Sequence, residues 1–136
     1  MRDARPEIAA AVAADLGKPA VEADLTEVLP VLSEISHVLK HLPRWMAPRR
    51  VWPTLTMLGT SAALHPQAKG LVLVIAPWNF PFMLALAPVV SAIAAGNAVM
   101  VKPSELTPAT SALLARLLPA ALPDLVAVCE GGPEVS

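Results

Sequence analysis

The sequence predicts an α/β chain, with N-terminal helices and an extended arm leading into three parallel strands joined by two helices. Three observations carry this. Apolar, strand-length runs at 71–76, Ala98–Lys102 and 125–129 alternate with helix-length segments at 82–95 and 108–122. That alternation argues a parallel βαβαβ unit with right-handed crossovers. Residues 21–42 instead repeat their apolar positions at three- and four-residue steps, as helices do.

In order along the chain, Asp3 and Pro6 suit the start of a first helix, and Gly17 with Pro19 suits its end. A second helix is expected over 21–42. Its stripe is Leu25, Val28, Leu29, Leu32, Ile35, Leu39 and Leu42, with Glu22, Glu27, Glu34, Lys40 and His41 mostly off it. Such a stripe reads as core packing, and Pro30 inside it predicts a bend. Residues 43–53 read as a linker holding Pro48-Arg49-Arg50, and 54–70 as extended segments broken by Gly59 and Pro66. Short strands of that kind need a sheet to join. Gly96-Asn97 closes the helix at 82–95, and Thr107-Pro108 opens the next.

Composition narrows the function. The 136 residues are 55% hydrophobic and 15% charged, with a net charge of −1. The absence of a basic excess gives no support to a nucleic-acid partner. The single cysteine, Cys129, excludes an intrachain disulfide and a cysteine-based zinc site, and no metal site is expected. Charged residues are absent from 71 to 101, but Pro77, Asn79, Pro81, Pro88 and Gly96-Asn97 break the run, so strand plus helix is preferred to a membrane span. No basic-then-apolar leader opens the sequence, and the default expectation is a cytoplasmic protein. The low charge suggests apolar faces that other segments or subunits cover.

Chemistry concentrates where two apolar runs stop. The first ends in Ile75-Ala76-Pro77-Trp78-Asn79, and the second in Lys102-Pro103-Ser104-Glu105. Ligands of open parallel sheets bind in the crevice at the carboxyl ends of strands. The Gly-x-Gly-x-x-Gly dinucleotide fingerprint is absent. Read from residue types alone, Asn79 fits a cap of the following helix, Lys102 with Glu105 fits a surface ion pair, and Trp78 fits a packing anchor. Cys129 reads as a buried structural thiol. His37, His41 and His65 are scattered, with no site assigned to them.

The wording of these motifs resembles the aldehyde dehydrogenase superfamily. The resemblance extends over Ala13-Ala14-Asp15-Leu16-Gly17-Lys18-Pro19, the Pro77-Trp78-Asn79 turn, and Ala94-Ala95-Gly96-Asn97 with Lys102-Pro103-Ser104-Glu105. Leu25-Thr26-Glu27-Val28-Leu29-Pro30 and Pro48-Arg49-Arg50-Val51 are similar to the class 3, fatty-aldehyde and coniferyl-aldehyde dehydrogenase branch. The fold implied is the aldehyde dehydrogenase fold: residues 1–70 supply N-terminal helices and extended segments, and 71–136 the first half (βαβαβ) of its Rossmann-like NAD(P)-binding sheet. The activity implied is NAD(P)-dependent oxidation of an aldehyde to a carboxylic acid.

The resemblance also implies residue roles. Asn79 would donate its side-chain N–H to the oxygen of the thiohemiacetal, where negative charge develops. Ile75, Ala76, Pro77 and Trp78 would approach the cofactor, and Trp78 would border the active-site tunnel. Lys102 and Glu105, flanking Pro103 and Ser104, would bind the adenosine ribose hydroxyls. The carboxylate favours NAD, with NADP left open. The family's nucleophilic cysteine and general-base glutamate match nothing in these residues, so the chain is expected to be an N-terminal part that is inactive alone. The complete enzyme is expected to be a homodimer. The rival reading is a non-catalytic nucleotide-binding or interaction module derived from that fold.

Overall fold

A computed structural model describes residues 3–132 and Glu134. Helix α1 (Arg5–Leu16) is followed by a short helix α2 (Ala20–Ala23), a π-turn (Asp24–Val28) and helix α3 (Leu29–Met46). Strands β1 (Arg49–Val51) and β2 (Ala62–Leu64) pair as an antiparallel ribbon. Then come β3 (Leu71–Ile75), α4 (Met83–Ala94), β4 (Ala98–Lys102), α5 (Pro108–Ala121) and β5 (Val126–Val128). The second sheet is parallel, in the order β3-β4-β5, with Leu71 beside Ala98, Ile75 beside Lys102, and Val99 beside Val126. The expected βαβαβ unit is present, with its element ends within two residues of the sequence reading.

The helices cover one face of this sheet. Val74, Val99, Val101 and Val126 share a core with Ala85, Leu86 and Val89 of α4 and Leu113, Leu114 and Leu118 of α5. Ile8 and Val12 of α1 and Val28 and Val31 of the π-turn and α3 complete it, so the core runs through residues on both sides of residue 70. The opposite sheet face is open: Leu71, Leu73 and Ile75 are 64%, 55% and 60% exposed. Strands paired in register carry their side chains on alternating faces, which is why the odd positions of β3 lie bare while Val74 is buried.

Several local expectations are corrected. Asp3 does not cap α1; Ala4 holds that position, with no side-chain cap bond. The stripe at 21–42 holds in part. Val28 is buried and Leu32 and Ile35 pack against the core, but Leu25, Leu29 and Leu39 are exposed, and Val31 and Val38 are buried although they lie off the stripe. A π-turn lies inside this stretch, in which Leu29 N–H donates to the Asp24 carbonyl. One extra residue in a turn rotates everything after it by about 100° relative to an unbroken α-helix. Pro30 falls in the first turn of α3, directly after the π-turn. The linker expected from residue 43 begins later, because α3 runs through Pro43 to Met46. The carbonyl freed by Pro43 belongs to exposed Leu39, where water can reach it. Residues 49–51 form β1, which finds its partner in β2. Among the described residues, no helix is long and apolar enough to cross a membrane.

Candidate functional site

The two motif turns leave the sheet side by side. The Ala76 N–H donates to the Lys102 carbonyl at 2.9 Å, immediately beyond the last register pair, Ile75 and Lys102. Ile75, Pro77, Trp78 and Asn79 are exposed and Ala76 is buried; Pro81 and Phe82 then turn into the core. Asn79 therefore sits at the crest of a turn whose next residues are anchored. Trp78 is 53% exposed, which does not fit the packing anchor considered for it.

The helix cap considered for Asn79 is supplied by another residue. Glu27 Oε2 accepts hydrogen bonds from the backbone N–H groups of Phe82 (3.1 Å) and Met83 (3.0 Å) at the start of α4. Glu27 is fully buried, although its expected place is mostly off the apolar stripe. Its Oε1 lies 2.6 Å from Lys18 Nζ, which also donates to the Asn79 carbonyl at 3.2 Å and stands 4.0 Å from the Phe80 ring centre. Among the described residues the Asn79 side-chain amide has no hydrogen-bond partner within the chain, which leaves its N–H groups available to a ligand.

The second turn is more enclosed. Lys102, Pro103 and Ser104 are buried, and Lys102 Nζ donates to Glu105 Oε2 at 3.3 Å. The Ser104 hydroxyl accepts from the Leu106 N–H, and its carbonyl accepts from the Thr107 and Ser111 hydroxyls. These bonds make Ser104 a brace for the turn. Glu105 reaches solvent, and its carboxyl is held below the ordinary glutamate pKa, first by a hydrogen bond from its own backbone N–H and then by Lys102. A cleft of about 220 Å³ opens beside it, lined by Pro103, Ser104, Glu105, Ser111 and Gly131. Cys129, at the end of β5, donates its backbone N–H to the Val101 carbonyl and is half-buried.

The family model described as "Aldehyde dehydrogenase family" matches residues 1–136. The chain belongs to the aldehyde dehydrogenase family. It is 50% identical over 127 residues to aldehyde dehydrogenase family 3 member H1 of Arabidopsis thaliana, covering 93% of this chain and 26% of that protein. It is 46% identical over 134 residues to a probable coniferyl aldehyde dehydrogenase of Caulobacter vibrioides, covering 95% and 28%. The substrate-bound state of Staphylococcus aureus AldH superposes with a TM-score of 0.94 at 37% identity, covering 98% of this chain and 29% of that one. The chain thus spans about a quarter of the length of the curated relatives it matches. The expected class 3 and coniferyl branch agrees with these relatives.

The aldehyde dehydrogenase segment also contains working residues that the sequence reading passed over. Asp15 accepts from the N–H groups of Ala109 (3.0 Å) and Thr110 (2.7 Å), and so caps α5. Asn97 Oδ1 accepts from Lys69 and Gly70 N–H at 2.7 and 2.9 Å, tying the end of α4 to the start of β3. One signal for Asp15 was present. A carboxylate in the last turn of α1 opposes that helix's own dipole, which points to a partner elsewhere. Glu27 offered no such signal, because the backbone groups it holds, Phe82 and Met83, lie 55 and 56 positions away.

Proposed function

We propose that this chain supplies the oxyanion donor and the adenosine-ribose side of the cofactor site of an enzyme that oxidises aldehydes to carboxylic acids with NAD, NADP remaining open. The observation that carries the reading is the adjacency of the two turns, joined through the Ala76 to Lys102 bond at the carboxyl edge of β3 and β4. An amide with free N–H groups stands on one turn, and an ammonium–carboxylate pair on the other.

The donor set fits a ribose. Lys102 donates, the partly exposed Glu105 carboxylate accepts from two hydroxyls, and the neighbouring cleft gives the sugar room. That carboxylate would repel a 2′-phosphate, which favours NAD. When bound, the cofactor accepts the hydride lost from the aldehyde carbon. Asn79 holds its N–H toward the carbonyl oxygen as negative charge gathers there during attack by a cysteine. A fixed neutral donor stabilises that charge more than the starting carbonyl. Ile75, Ala76, Pro77 and Trp78 form the wall between the two sites, with Trp78 toward the substrate.

Cys129 is not read as the nucleophile. Its backbone is fixed in the β5 register and it follows the wrong strand for the Asn79 turn. The residues 1–136 alone are therefore expected to be inactive; by family resemblance, the whole enzyme is expected to be a homodimer, in the cytoplasm by default. The test is a full-length aldehyde dehydrogenase carrying residues 1–136. Lys102→Met and Glu105→Gln should raise KM for NAD with kcat little changed; an unchanged KM for NAD in both would remove the ribose assignment.

A further inference from the structure

The turn bearing Asn79 is gripped by residues of the N-terminal helices. Lys18, just past α1, touches the carbonyl of Asn79 itself and the ring of Phe80. Glu27, in the π-turn, holds the N–H groups of Phe82 and Met83 and the Lys18 ammonium together. We propose that Lys18 and Glu27 are positioning residues for the oxyanion amide of Asn79, with the π-turn serving to aim Glu27 at them. This rests on Asn79 being the donor, as read above.

The chemistry calls for such a clamp. An oxyanion donor works because it is already in place when charge develops, and a misplacement of about 1 Å can cost on the order of 10²-fold. Two side-chain torsions separate the Asn79 amide from its backbone, so the backbone must be fixed first. Lys18 fixes the peptide plane after Asn79, and Glu27 fixes the chain three and four residues later. Helix capping alone does not account for the pair. Glu27 would cap α4 without any bond from Lys18 to Asn79, and a buried ion pair is a weak source of stability compared with apolar packing. The π-turn is the second independent feature. Glu27 lies within it and is fully buried, and π-bulges inside helices are frequent at functional sites.

The experiment is single-turnover acylation in a full-length aldehyde dehydrogenase carrying residues 1–136, with NAD affinity measured beside it. Lys18→Met keeps the aliphatic stem and removes the ammonium. The double variant Lys18→Met/Glu27→Gln leaves no unpaired buried charge and keeps an acceptor for Phe82 and Met83, so it guards against loss of folding. Both should acylate on the order of 10- to 100-fold more slowly with NAD affinity unchanged. Lys18→Arg should recover part of the rate. In an Asn79→Ala background the Lys18→Met effect should vanish, because a positioning residue has nothing left to position. A slow Asn79→Ala enzyme in which Lys18→Met still costs its full factor would overturn the clamp alone. A normal rate in Asn79→Ala would overturn the donor reading and the clamp together.

Discussion

Asp15 and Thr110 are joined by a 2.7 Å hydrogen bond from the Thr110 N–H to Asp15 Oδ2, across 95 residues of chain. With Glu27 at α4, it means that the N-terminal helices cap both crossover helices, each just after a motif turn. The sheet carries the candidate chemistry, while carboxylates from outside the sheet hold it still.

Asp15→Ala should therefore destabilise the fold by about 1–2 kcal/mol, the upper range for a lost helix cap. Urea unfolding measures it, and hydrogen exchange should accelerate at Ala109 and Thr110 before other residues of α5. Unchanged exchange there would mean that α5 does not depend on this bond.

Gly96→Ala should cost about 1–2 kcal/mol. Gly96 has φ +82°, and an added Cβ would come 3.3 Å from the Ala68 Cβ. The thermal midpoint should fall, whereas Gly17→Ala, with open space around it, should suffer from backbone conformation alone.

Glu105 gives a pH prediction. Its folded pKa is lowered, so its contribution to stability is complete above the ordinary glutamate value and is lost as pH falls through the lowered folded value. Carboxyl NMR titration should place Glu105 below ordinary glutamates. Lys102→Met should raise it only part of the way, because the backbone hydrogen bond is the larger cause.

The open face of the sheet should make residues 1–136 self-associate. Leu71, Leu73, Ile75 and Met100 are exposed together on neighbouring strands, with unpaired edges beside them. Size-exclusion chromatography should show aggregates or partly molten protein, relieved by Leu73→Lys. A monodisperse monomer with cooperative unfolding would contradict this.

The parallel unit was legible because its signals are local. Runs such as 71–76 end at proline, and Gly96-Asn97 and Thr107-Pro108 punctuate the helices. The motif residues Asn79, Lys102 and Glu105 stood out by family resemblance; their types alone suggested a cap and an ion pair. What stayed hidden depends on distant packing. Val31 and Val38 are buried while Leu25, Leu29 and Leu39 are exposed, a choice between adjacent apolar faces that packing makes and the pattern alone does not. Glu27 reads as a solvated charge until Phe82, 55 positions away, is brought beside it.

Whether Asn79 is the oxyanion donor is decided by single-turnover acylation of Asn79→Ala in a full-length aldehyde dehydrogenase carrying this segment, with NAD affinity measured on the same protein. Acylation should slow by a factor on the order of 10²–10³ with NAD affinity unchanged. Weakened NAD binding with an unchanged acylation rate would contradict it and make Asn79 a cofactor contact.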